Sequence, residues 1–173
     1  MKLQEALAKQ FGMMYATAAS NLEAIDQAQS LITPEPSGNC LNWILGHMVT
    51  VHNGLMMLLG EAPVWENERL SREKFFKPVT DSSNALDWNT LRDKFLGSRD
   101  RCLAAISRMS DETMADRIPD PFGGETTRGE LLNVLAYHQA YHVGQLGVVR
   151  RIAGLEGKVK GPGQAKPVSS KER

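Results

Sequence analysis

Apolar residues recur every three or four positions over four long stretches of the chain. That is the spacing of an amphipathic helix, and strand-like alternation is nearly absent. The first stretch covers residues 2–30, with Leu3, Leu7, Phe11, Met14, Ala18, Leu22 and Ile25 on one face. Thr33-Pro34-Glu35-Pro36 ends it, because proline lacks an N–H and disfavours helix in the residue before it. A second helix is predicted over 38–60, capped by Ser37 or Asn39 and closed by Gly60. Its broad apolar face is Leu41, Ile44, Leu45, Met48, Val51, Leu55, Leu58 and Leu59. Residues 61–82 lack periodicity and are too long for a tight turn, so a crossover fits, joining helices that need not be antiparallel neighbours. A third helix is predicted over 84–110, with Leu91, Phe95, Cys102, Ile106 and Met109 inward and Trp88 near its start. Residues 111–126, with Pro119, Pro121, Gly123 and Gly124, read as a loop. Thr127-Arg128-Gly129-Glu130 is a capping box opening the fourth helix, over 128–153 and stopped by Gly154. The predicted fold class is all-α, a four-helix bundle with a long crossover between helices 2 and 3. Residues 1–153 form its one domain, and 154–173, rich in Gly, Pro, Lys and Ser, are predicted to be a flexible tail.

At 173 residues with 42% hydrophobic side chains, the chain is long enough to bury one substantial core. Twenty basic and twenty acidic residues cancel to a formal charge of zero, which lacks the basic excess of a nucleic-acid binder. The zero conceals a tail at +3 and a body at −3. Cys40 and Cys102 cannot make a disulfide framework, which suits a reducing, cytoplasmic setting. The opening MKLQEALAKQ lacks the apolar stretch of a signal peptide, and the absence of an 18-residue apolar run predicts no membrane span. Met13, Met14, Met48, Met56 and Met57 read as flexible core filler. Gly144 and Gly147, costly inside a helix, are expected to allow a close helix approach or room for a ligand.

The four histidines, His47, His52, His138 and His142, carry the sharpest chemical signal. Along the fourth helix, Leu131, Leu135, His138, His142, Gln145, Val149 and Ile152 step by four and three, the spacing of a core seam. Three consecutive polar residues on such a seam need a shared partner, since each buried without one costs about 1–3 kcal/mol. His138 and His142 stand four apart, so both imidazoles leave one helix face, a spacing that can serve one metal ion. Gln139 follows His138, so the glutamate of the HExxH zinc proteases is missing. A third ligand has to come from another helix, and the second offers His47 and His52. These lie five apart, about 140° around the helix. The apolar centre of that face falls nearer His52, making it the more buried and placing His47 at the flank. Periodicity alone leaves the third ligand open between them.

The string Asn42-Trp43-Ile44-Leu45-Gly46-His47, with His138-Gln139-Ala140-Tyr141-His142-Val143-Gly144-Gln145-Leu146 about ninety residues later, resembles the DinB-like superfamily. The likeness covers roughly residues 1–153, including Pro121-Phe122-Gly123-Gly124 and Val149-Arg150-Arg151. It implies the same bundle and a divalent metal, nickel or zinc, held by His47, His138 and His142. His52 is then left a bland role, in packing or a local hydrogen bond at the helix surface. Tyr141 and Gln145 become candidates for supporting the ligands or touching a substrate. The resemblance further implies a metal-dependent enzyme of the thiol S-transferase or isomerase type. It would act on a small molecule with a low-molecular-weight thiol such as mycothiol or bacillithiol, commonly as a homodimer. A metal-dependent hydrolase and a non-catalytic, stress-linked metal- or ligand-binding bundle are the competing readings.

Overall fold

The structure, a computed structural model, describes residues 1–70, 79 and 83–157. The expectations for the middle of the crossover and for the tail beyond 157 lie outside the described residues. Seven helices are described: α1 (Leu3–Leu22), α2 (Gln27–Ser30), α3 (Leu41–Leu58), α4 (Trp88–Gly97), α5 (Arg99–Arg108), α6 (Asp111–Ala115) and α7 (Arg128–Ile152). A 3₁₀ turn, Glu68–Leu70, follows α3, and the described β-structure is one small antiparallel hairpin, β1 (Arg117–Pro119) with β2 (Glu125–Thr127). The fold is all-α, as expected. α1 packs on α7 and α5, and α3 on α7 and α4.

The predicted first helix stops eight residues early. Ala24 adopts a left-handed backbone (φ 56°), and the end of α1 is held from far away in the chain. Arg150, 2% exposed, donates to the carbonyls of Asn21 and Glu23 and to that of Glu156. Helix resumes at α2 through a capping box of Asp26 and Gln29, a Asp-x-x-Gln signal hidden by the apolar period running on through Ile25. The second helix begins at Leu41 with Cys40 at its N-cap and no side-chain cap, so neither Ser37 nor Asn39 performs that job. The predicted third helix is two. Asp87 caps α4 by accepting from Thr90 N–H at 2.8 Å, and Ser98 separates α4 from α5, its hydroxyl turned back to Phe95 O at 2.6 Å. The expected loop 111–126 holds α6 and the hairpin.

Two buried or half-buried asparagines of α3 tie the crossover down at both ends. Asn42 exchanges hydrogen bonds with the backbone of Leu86, and Asn53 does so with Val64 and Trp65. The core joins Leu7, Phe11, Leu22, Leu45, Met48, Leu55, Phe95, Ile106 and Leu146. Met14, Met48 and Met56 belong to it, but Met13 and Met57 are exposed and fill nothing. Gly147 is needed for close approach, since a Cβ there would stand 3.1 Å from the Asn21 amide of α1. Gly144 faces open space.

Candidate metal centre

The capping box of α7 forms as read: the Thr127 hydroxyl accepts from Glu130 N–H at 3.2 Å and Thr127 N–H donates to the Glu130 carboxylate at 2.8 Å. The buried stripe of that helix overlaps the expected seam only in part. It holds Leu132, Ala136, Gln139, His142, Val143, Leu146, Val149 and Arg150. Of the expected seam, His142 and Val149 are buried, Leu131, Leu135, His138 and Gln145 are only half-buried, and Ile152 is exposed. One residue is about 100° of rotation, and a stripe that runs through Gln139 leaves His138 at its edge, facing α3. Gln139, a polar member of that stripe, donates to Met48 O of α3 at 3.0 Å. This bond sits beside both His138 and His47 and holds the two helices in register.

His47 of α3 meets His138 and His142 of α7 across the cleft. His138 Nε2 lies 3.2 Å from His47 Nε2 and 3.2 Å from His142 Nε2. The three rings form a group that could hold a metal ion, with ligand atoms within 4.8 Å of one another. Nitrogens held about 2.0–2.1 Å from one tetrahedral ion stand about 3.3–3.4 Å apart, close to the two separations from His138. The tautomers fit as well. Gln145 donates its amide N–H to the Tyr141 hydroxyl at 3.1 Å, leaving Gln145 Oε1 to accept from His142 Nδ1–H at 2.7 Å. His142 Nε2 therefore carries a lone pair toward its neighbours. His138 Nδ1 is buried with no hydrogen-bond partner among the described residues.

Burial pushes the His47 imidazole down to about 4, with repulsion from His142 and His138 adding to it. Burial also lowers His138, aided by His142, and lowers His142 against the opposing bond from Gln145. All three are neutral at pH 7, the protonation state a metal requires. Trp43 lies parallel to His47 at 5.1 Å and 10°, and Tyr141 packs edge-on against His142 at 5.2 Å. The three-histidine group could hold a metal ion, and Tyr141 and Gln145 both support one of its members.

His52 points the other way, as the helical wheel indicated. It is fully buried, not at the helix surface where its bland role had placed it. Its Nε2 meets the Tyr15 hydroxyl at 2.5 Å, and that hydroxyl meets Ser98 at 2.8 Å. Burial pushes His52 down to about 3 and drives Tyr15 well above the usual phenol range. Cys102 lies beside Tyr15 and is pushed up to about 12 by burial, so its thiol is unreactive at neutral pH. Tyr15 had carried no signal of its own in the sequence, as the residue after Met14 on an apolar helix face.

No described helix is long and apolar enough to cross a membrane. No curated protein matches the sequence. Among solved structures, a conserved protein from Enterococcus faecalis superposes with a TM-score of 0.66 at 18% identity, covering 88% of this chain and 98% of that one. A histidine-to-alanine mutant of a mycothiol-dependent maleylpyruvate isomerase gives 0.64 at 16% identity, over 85% of this chain. The chain spans only 61% of the isomerase's length. Both likenesses are in fold. The profile of the DinB superfamily matches residues 10–146, most of the chain, and on that match the protein belongs to the DinB superfamily.

Proposed function

We propose that His47, His138 and His142 hold a divalent ion, nickel or zinc, through Nε2, and that the protein is a metal-dependent enzyme of the thiol S-transferase or isomerase type. The observation that carries this reading is the convergence of three neutral Nε2 atoms in a cleft, at separations one ion would span. The likeness to a mycothiol-dependent isomerase supports a small-molecule substrate and a low-molecular-weight thiol as its partner. A bound divalent ion supplies positive charge that favours the thiolate or hydroxide form of a ligand in an open position. The protein's own part is preparation. Gln145 fixes the His142 tautomer, Trp43 sets the plane of His47, and Gln139 locks α7 to α3 beside both. A homodimer belongs to the same reading, supported by exposed Met13, Tyr137 and Val148 along α1 and α7.

The test is thiol consumption by purified, nickel- or zinc-loaded protein against a broad panel of electrophiles. Turnover that disappears in His138→Ala supports the enzyme. Metal uptake without turnover on any electrophile would leave a metal-binding protein and overturn the catalytic claim.

A further inference from the structure

The cleft between α3 and α7 does not end at the histidines. The two helices run antiparallel, with His47 opposite His138 and the Leu58 carbonyl bonded to Arg128 at 2.6 Å. Those two levels are ten residues apart on α7, about 15 Å along its axis. Between them lies a cavity of about 610 Å³, within the usual range for a small-ligand site. Its walls are the continuation of the histidine stripes. On α3, Val51 follows His47 by one turn, then Gly54 and Leu58; on α7, Leu135 precedes His138 by three residues, then Leu131. Ile118 and Pro119 of the hairpin close the side. Among the described residues a Cβ on Gly54 would meet nothing within 4 Å, so the wall is open there.

The lining is apolar apart from two charged residues at one end. Arg128 holds the Leu58 carbonyl and stands 3.6 Å from the Asp116 carboxylate, and its Nε is buried with no hydrogen-bond partner among the described residues. Asp120 accepts from Phe122 N–H at 2.8 Å. Along the rest of the groove, toward the histidines, the walls are apolar, and an ion lodged there would leave water without replacement. A second cavity of similar size, lined by Met13 and Tyr137, lies between α1 and α7; neither cavity has a histidine in its lining, and the α3–α7 one is chosen because it lies between the two helices that carry the three histidines.

We infer that the α3–α7 cavity binds the uncharged, apolar body of the substrate, an alkyl or aryl group, with its reacting end toward the three histidines. This deepens the proposed function and rests on it for the reacting end; the apolar site itself does not depend on metal.

The test uses a neutral fluorescent probe, N-phenyl-1-naphthylamine, displaced by straight-chain alcohols and by fatty acids of equal length. Displacement should strengthen about three- to fourfold per added methylene from hexanol to octanol, with the carboxylates about tenfold weaker or worse. Gly54→Trp, which fills the cavity, should abolish probe binding, and Gly54→Ala should weaken it while keeping the helical circular dichroism intact. Met13→Trp, in the other cavity, and removal of metal by a chelator should leave probe binding unchanged. Probe binding that survives Gly54→Trp in folded protein, or carboxylates that match the alcohols, would overturn the inference. Failure of metal uptake with these probe results intact would sink the metal reading alone. Normal metal uptake with no chain-length dependence would sink the groove alone.

Discussion

His47 and His52 lie five residues apart on one helix and occupy opposite chemical situations. His52 is completely buried, and its ring nitrogen is answered by Tyr15, itself answered by Ser98. His47 is half-buried, and its Nε2 faces the Nε2 of a second histidine that faces a third. The first arrangement is closed: hydroxyls and ring nitrogens supply one another with donors and acceptors inside the core. The second is a convergence, because three neutral imidazoles from two helices turn ring nitrogens toward one point. Greater burial therefore marks the structural histidine, and convergence with two other rings marks the candidate functional one.

The largest expected effect comes from separating the two by mutation. His138→Ala should weaken nickel or zinc binding by more than about a hundredfold, since even an outer partner of a metal ligand is worth about 10–100-fold. Competition with a chelating dye measures it, and His52→Ala should leave that affinity within a few fold. Stability should respond in reverse. His52→Ala removes a buried ring and strands Tyr15, at a cost of about 3 kcal/mol in urea unfolding, whereas His138→Ala should cost less than half as much. Gln145→Leu tests the intermediate case, with a loss of affinity of about tenfold or more and little change in stability.

A pH series sharpens the contrast further. His52 titrates near 3 when folded and near 6.5 when unfolded, so the unfolded state binds more protons between those values. Stability conferred by its neutral form is complete above about 6.5 and is lost as pH falls toward 3. Urea midpoints of metal-free protein should fall over that window, and the fall should be shallower in His52→Gln. The smallest effects concern the frame. Thr127→Ala should cost about 1 kcal/mol by uncapping α7, with metal affinity unchanged.

The start of α7 was legible because Thr127 and Glu130 cap it from within four residues. The end of α1 was not, since Arg150 arrives from the far end of α7 while the apolar period runs on undisturbed through Ile25. The α7 seam was legible only in part, for a plain reason. Leu131 and Leu132 are adjacent, as are Leu135 and Ala136, so two neighbouring stripes are both apolar and periodicity fits either. The histidine pair was visible from its spacing. Its third member was not: the wheel located the buried His52 correctly, and only the resemblance singled out His47. The partner of His52 lies 37 residues away on another helix, beyond the reach of any local pattern.

The central claim is that three imidazole nitrogens, and no cysteine, hold the ion. X-ray absorption at the K edge of nickel- or zinc-loaded protein counts those ligands directly. The expected spectrum shows three histidine rings at about 2.0–2.1 Å with lighter oxygen scatterers beyond them. A sulfur shell at about 2.3 Å, or a spectrum unchanged in the His47→Ala, His138→Ala, His142→Ala triple variant, would contradict it.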